Sequence, residues 1–218
     1  KCPPQLQHDQ VAGMILRGLT VWYLLQTLHK LKPGETVLLH AAAGGIGLIF
    51  CQWARHIGAT VIGTVGSPEK ATAARDAGCT HTILYRSEDW VTKVRELTAG
   101  KGVSVAYDGV GKDTLLGSLD CLAQRGLLVS FGNASGAPPA IDPGQLAAKG
   151  SVFLTRPRLV DYVGRNEDYV RGCAELFDVV TKGIVKIEVG QSFGLAQAAH
   201  AHTDLESRGT TGSTILVV

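Results

Sequence analysis

Several features that define whole classes of protein are missing from this sequence of 218 residues. The net charge is only +2, so nothing in the composition suggests a nucleic-acid-binding surface, and we predict no nucleic-acid partner. No uninterrupted apolar run approaches the ~20 residues of a membrane-spanning helix, and no signal peptide is recognisable. The five cysteines are widely spaced, without a C-x-x-C pair. This usage is typical of reduced thiols and predicts a cytoplasmic protein without disulfides.

The sequence also lacks the clusters that bind metals or form a catalytic triad. A zinc site needs convergent cysteine, histidine or carboxylate ligands. The only close histidines are His200 and His202, and their i, i+2 spacing would direct them to different faces of a helix. We therefore predict no metal site. No Ser-His-Asp or Cys-His arrangement is visible, and the sequence assigns no catalytic residue.

What the sequence does contain is a regular alternation of apolar strands and helical segments. The strands are near-continuous apolar runs, as expected for a parallel sheet that is covered by helices on both faces. The predicted fold is an α/β, Rossmann-type doubly wound parallel sheet with strand order 3-2-1-4-5-6. Its six strands are predicted at residues 36–41, 60–65, 82–85, 103–108, 126–131 and 151–154.

The last third of the chain has a different pattern. Helices are predicted at 161–182 and 195–207, and strands at 184–189 and 214–218. Two strands that follow a complete doubly wound sheet have no obvious partners, so we expect them to pair with another domain. The predicted division is a dinucleotide-binding domain at 1–157 and a segment of a second domain at 158–218.

A glycine-rich turn, HAAAGGIG at residues 40–47, follows the first strand and precedes a helix. Read as Ala42-x-Gly44-x-x-Gly47, it matches the dinucleotide fingerprint with alanine at its first position. Small residues allow the sharp turn, the approach of a pyrophosphate to the backbone and close packing of the helix on the sheet. The helix N-terminus then favours the anion. The alternative is a tight turn without a ligand.

The cofactor is predicted from the end of the second strand. NAD-binding folds place an acidic residue there to bond the ribose hydroxyls, but residues 64–67 read TVGS. Lys70 follows, and Tyr85 ends the neighbouring third strand. A cation and a hydroxyl suit a 2′-phosphate, which favours NADPH. The alternative for Lys70 is a solvated lysine on a helix surface.

Five runs resemble one known family along the whole chain: RGLTVWYLL (17–25), AAAGGIG (41–47), YDGVG (107–111), VSFGN (129–133) and LESR (205–208). They are similar to the NADPH:quinone oxidoreductases, the zinc-independent branch of the medium-chain dehydrogenase/reductase superfamily. The resemblance implies hydride transfer from NADPH to a quinone or a related electron-poor carbonyl or enone. It also implies that the chain is a fragment lacking most of a GroES-like N-terminal substrate domain, to which 158–218 would return.

The resemblance further implies which residues contact NADPH. It adds Gly66 and Ser67 to Lys70 and Tyr85 at the 2′-phosphate. It assigns the other contacts to Gly44, Gly45, Ile46 and Gly47 at the pyrophosphate, Val110 at the adenine side, Phe131, Gly132 and Asn133 along the nicotinamide half, Tyr23 near the nicotinamide, and Arg208 from the returning tail. Tyr23 has a core aromatic role as its alternative, and Arg208 that of a helix C-terminal arginine.

The sequence leaves other functions open, and the resemblance also bears on how the protein assembles. The chain could be an NADPH-binding module or a structural, crystallin-like protein without turnover, and among enzymes it could be an enoyl reductase. The resemblance implies a homodimer that pairs through the edge strand near 151–154, because an unpaired edge can template a second copy. The alternative is a monomer whose edge is covered by the following helix.

Overall fold

The structure, a computed structural model, describes residues 1–207 and 209–218. Six parallel strands form its main sheet: β1 (Thr36–Leu39), β2 (Thr60–Val65), β3 (His81–Leu84), β4 (Val103–Asp108), β5 (Leu122–Ser130) and β6 (Phe153–Thr155). Their spatial order is β3-β2-β1-β4-β5-β6, with every neighbouring pair parallel. The predicted fold class and strand order are confirmed.

Helices cover both faces of this sheet and leave an apolar core on each side. One core lies under α1 (His8–Trp22), α2 (Gly45–Ile57), α3 (Pro68–Asp76) and α8 (Asn166–Thr181). The other lies under α4 (Trp90–Leu97), α5 (Leu115–Asp120) and α6 (Pro143–Ala148). The remaining helices are α7 (Leu159–Val163) and α9 (Ala198–Glu206). Burial on both faces explains why the strands are apolar along most of their length.

The most apolar helical segment, His8–Leu28, consists of α1 and a π-helix that continues it from Tyr23 to Leu28. By length and composition it could cross a membrane, a property that the sequence analysis missed because Arg17 interrupts the apolar run. More than half of the segment is buried inside the fold. Packing against α2 and α8 accounts for its composition without a membrane.

The last third of the chain departs from prediction in two elements. The helix predicted at 161–182 is two helices, α7 and α8, interrupted at Gly164 and Arg165. The strand predicted at 184–189 is wrong, since residues 184–188 belong to no sheet and a strand begins only at Val189. The Gln52 side chain bonds both the N–H and the C=O of Lys186, in place of a partner strand. The alternating pattern there reflects burial of Val185 and Ile187 in the core.

Two late strands, β7 (Val189–Gly194) and β8 (Ser213–Val217), pair in parallel with each other. Each late strand thus has a partner within the chain, and their pairing with another domain stays a prediction. The segment before β8 also reaches the glycine-rich turn, because the Gly212 N–H donates to Ala43 O at 3.2 Å. The division at 157/158 stays a prediction.

Candidate functional site

The glycine-rich turn joins β1 to α2 at the carboxyl edge of the sheet. Ala41 adopts a left-handed conformation with φ +55°, and its carbonyl oxygen accepts a hydrogen bond from Gly44 N–H at 2.9 Å. A Cβ on Gly47 would lie 2.5 Å from the carbonyl groups of Ala41 and Ala42. Only glycine allows α2 to approach the turn this closely, as the fingerprint predicts.

The first turn of α2 presents backbone donors at this edge. Gly44 is the N-cap, and no side chain caps the helix. The N–H groups of Gly45, Ile46 and Gly47 are the first three of the helix, so they have no acceptor within it. Together with the positive end of the helix dipole, they form a site that suits an anion such as a diphosphate.

A second group of predicted residues lies at the end of β2. A Cβ on Gly66 would be 3.2 Å from the Tyr85 hydroxyl, so this backbone and the phenol are adjacent. The Ser67 hydroxyl caps α3 by accepting the Lys70 N–H at 3.3 Å. The structure therefore brings together the four residues predicted at a 2′-phosphate.

Two charged side chains lie beside this group, and one of them, Arg86, was missed by the sequence analysis. The Arg86 guanidinium lies 5.9 Å from the centre of the Tyr85 ring and close to Gly66. Its position directly after Tyr85 was the available signal. Glu69 lies on the first turn of α3, where a hydrogen bond from the Ser67 hydroxyl lowers the pKa of its carboxyl. An anion bound here would meet both a second cation and a nearby acid.

The loops after β4 and β5 form a third part of the site. Asp108 Oδ1 accepts the N–H groups of Val110 and Gly111, each at 2.9 Å, and so fixes the turn after β4. The Phe131 ring and Gly132 pack against Gly109. This contact leaves no room for a Cβ on either glycine. The predicted residues Val110, Phe131, Gly132 and Asn133 thus lie in two contacting loops.

Arg156, which the sequence analysis did not single out, holds the end of β5. Its Nη1 donates to the carbonyl oxygens of Ser130, at 2.7 Å, and Gly132, at 3.1 Å. Tyr23 is only 2% exposed and stacks on Tyr162 with ring centroids 4.5 Å apart. Burial, and secondarily Tyr162, raises the pKa of Tyr23. The stacking matches the core alternative for Tyr23, and its contact with a nicotinamide stays a prediction. Arg208 lies outside the described residues.

A buried polar network lies beneath the carboxyl edge. Side chains alternate along a strand, so Thr64, His40 and Asp108 project to the same face as the apolar residues two positions before them. His40 Nδ1 lies 2.9 Å from Thr64 Oγ1, and Nε2 lies 2.9 Å from Ser118 Oγ. Ser118 in turn donates to Asp108 Oδ2 at 2.9 Å. The network joins the ends of β1, β2 and β4.

The hydrogen bonds determine that His40 Nε2 carries a proton. The Ser118 hydroxyl has two acceptors within reach, Asp108 Oδ2 and the Thr114 carbonyl oxygen, so its single proton points to one of them. Ser118 Oγ can therefore only accept the hydrogen bond from His40, and His40 Nε2–H is the donor. In the neutral imidazole, Nδ1 accepts from the Thr64 hydroxyl. Burial lowers the pKa of His40 to about 4, although the nearby Asp108 opposes this effect. His40 is thus a neutral imidazole, and the strand alternation was the signal that could have revealed its burial.

Other features of the surface lie away from this edge. Within 1–207 and 209–218, no three histidine, cysteine or acidic side chains converge as metal ligands. One open groove of about 450 Å³ runs between β3 and α4, and another of about 520 Å³ between α2 and α8. Neither of these two grooves includes the glycine-rich turn.

Comparisons with known proteins give a consistent result. Residues 45–173 match the family model described as zinc-binding dehydrogenase. A quinone oxidoreductase of Pseudomonas aeruginosa is 51% identical over 215 residues, which are 99% of this chain and 66% of that protein. A 2-haloacrylate reductase of a Burkholderia species is 49% identical over 220 residues, covering 100% of this chain and 66% of that protein.

Among solved structures, Escherichia coli quinone oxidoreductase in complex with NADPH superposes with a TM-score of 0.97. The two sequences are 47% identical, and the match covers 100% of this chain and 67% of that one. The chain thus spans about two thirds of the length of the relatives it matches.

Proposed function

Because the chain belongs to the zinc-binding dehydrogenase family, in the quinone oxidoreductase branch of the medium-chain dehydrogenase/reductase superfamily, we propose that the whole protein is an NADPH-dependent reductase. Its acceptor would be a quinone or a related electron-poor carbonyl or enone. One observation carries the proposal: the fingerprint turn at the N-terminus of α2 lies on the same sheet edge as Gly66, Ser67, Lys70 and Tyr85. The first part suits a diphosphate and the second a 2′-phosphate.

The residues fit NADPH at each of its charged groups. The backbone donors of Gly45, Ile46 and Gly47 would hold the diphosphate. Lys70 and the Tyr85 hydroxyl, with Arg86 beside them, would hold the 2′-phosphate by charge-assisted hydrogen bonds. No carboxylate occupies residues 64–67, where NAD-binding folds have their acid.

NADPH, when bound, supplies the hydride to the acceptor. The residues of the chain bind and orient it. Arg156 fixes the end of β5 and would thereby hold residues 131–133 for the contact with the nicotinamide half that the resemblance implies. His40 and Asp108 hold the turns after β1 and β4 from beneath, so the binding groups are arranged before the cofactor arrives.

The relatives of this chain are named for more than one class of electron acceptor. The quinone oxidoreductase and the 2-haloacrylate reductase are nearly equally similar to this chain, at 51% and 49% identity. By their names, one acts on a quinone and the other on a 2-haloacrylate, a conjugated carboxylate. Both acceptors are electron-poor conjugated systems, which supports the proposed class without selecting one member.

The proposed assembly is a homodimer through β6. This strand is the sheet edge, and its side chains Phe153 and Leu154 are 60% and 37% exposed. An exposed apolar edge strand can pair with its own copy across a two-fold axis, since such an interface is self-complementary. The pairing would continue the six-stranded sheet into the partner.

The proposal is tested by calorimetric titration of NADPH and NADH into the wild-type chain and the variant Lys70→Ala. The wild type should bind NADPH more tightly, and the variant should lose about 1.5–3 kcal/mol toward NADPH alone. Lys101→Ala, which removes an exposed lysine far from β2, is the matched control. An NADPH/NADH ratio that is the same in wild type and Lys70→Ala would contradict the phosphate assignment.

Turnover is tested on the complete natural protein, by following NADPH absorbance with 1,4-benzoquinone and with 2-chloroacrylate. Consumption of NADPH by at least one acceptor is expected. Tight NADPH binding without consumption by either acceptor would instead favour the NADPH-binding module.

A further inference from the structure

One arginine packs directly on the glycine-rich turn. Arg17 projects from α1, and a Cβ built on Gly45 would lie 2.5 Å from its Nε and 2.6 Å from its Cδ. The arginine therefore fills the space that the missing Cβ leaves. The Gly212 carbonyl oxygen, 3.0 Å from the same point, belongs to the tail segment that covers this side of the turn. Arg17 is thus held between α1, the first turn of α2 and the tail.

This guanidinium has no compensating charge. In the part of the chain that the structure describes, Arg17 forms neither a hydrogen bond nor an ion pair, and it is partly buried. Burial lowers the pKa of Arg17, and no acidic neighbour opposes the shift. A cation beside a helix N-terminus is unfavourable, since that end of the helix is itself positive. Two positive features converge on Gly45, and a bound anion would neutralise both.

We propose that Arg17 is a cofactor-binding residue that contacts the diphosphate of the dinucleotide at the first turn of α2. This inference rests on the proposed function. It assigns Arg17 a different part from Lys70: the diphosphate is common to NADPH and NADH, whereas the 2′-phosphate is not. Arg17 therefore contributes to the affinity for both dinucleotides and leaves the preference between them to Lys70.

The first test is a titration of NADPH and NADH into Arg17→Met, which retains much of the apolar stem and removes the charge. Loss of one charge-assisted contact should raise the dissociation constants of both dinucleotides by about ten- to a hundredfold and leave their ratio unchanged. Arg17→Lys should recover part of the affinity. Arg165→Met, at an exposed arginine between α7 and α8, should bind like the wild type.

The second test is thermal unfolding of the free Arg17→Met variant. Because the arginine is an uncompensated cation next to a helix N-terminus, its removal should leave the melting temperature unchanged or raise it. A purely structural arginine predicts the reverse, a less stable variant with unchanged affinity, and that result would overturn the inference. So would a loss of affinity for NADPH alone. If the wild type binds neither dinucleotide, the proposed function fails first, which distinguishes the two.

Discussion

The neutral, buried His40 should make the stability of this protein depend on pH in a defined window. An unfolded histidine has a pKa near 6.5, and in the folded chain the pKa of His40 is about 4. Between these values the unfolded state binds more protons than the folded state. The contribution of His40 is therefore fully present above pH 6.5 and is lost as the pH falls toward 4. At about 1.4 kcal/mol per pH unit, the loss amounts to about 3 kcal/mol.

The assay is urea unfolding of the wild type and of His40→Gln at several values between about pH 7 and pH 4.5. Glutamine has a donor and an acceptor but does not titrate in this range, so the variant should lose most of the pH dependence. Carboxylates outside the His40 network titrate alike in both proteins, so their contribution cancels in the difference. His56→Gln, at an exposed histidine of α2, is the control and should follow the wild type.

The slope with pH is the test, rather than the stability at neutral pH. His40→Gln can itself cost about 1–3 kcal/mol at pH 7 if Thr64 or Ser118 loses its partner. If His40→Gln retains the wild-type pH dependence, the imidazole titrates normally in the folded protein. The argument from burial and from the committed Ser118 proton would then be refuted.

Three further perturbations probe other parts of the fold. Gly47→Ala places a Cβ against two backbone carbonyl groups and should cost about 1–3 kcal/mol in urea unfolding and weaken NADPH binding; Gly194→Ala, where a Cβ meets nothing closer than 3.7 Å, should change neither. Phe153→Glu places a charge at the exposed sheet edge and should convert a dimer to a monomer in light scattering, whereas an unchanged mass would locate the interface elsewhere. Tyr162→Ala should expose Tyr23 and lower its pKa in an ultraviolet titration; an unchanged titration would show that Tyr162 does not bury it.

The sequence alone determined the elements whose causes are local. Strands β2 and β4 have the predicted bounds, since each is a continuous apolar run in a sheet covered on both faces. Helix α3 begins as predicted, because Ser67 caps it and Pro68 occupies its first turn. The turn at 40–47 was recognisable for the same reason. Its small residues are required by close contacts with backbone groups only a few positions away in the chain.

Only the tertiary structure decided the features that depend on distant residues. The strand predicted at 184–189 fails because Gln52, far away in the sequence, takes the hydrogen bonds of Lys186 that a neighbouring strand would take. The pairing of β7 with β8 likewise joins segments that give no local signal of each other. A periodic pattern records which side chains are buried, but it does not say what buries them.

The same limit applies to the site. The sequence predicts a diphosphate at the turn, but the cation that packs on Gly45 comes from α1, a separate helix earlier in the chain. The neutral state of His40 depends on Ser118, on α5, and could not be read from its neighbours in the sequence. Local sterics and hydrophobic periodicity are encoded along the chain, whereas burial, charge compensation and hydrogen-bond partners arise when the folded chain brings distant residues into contact.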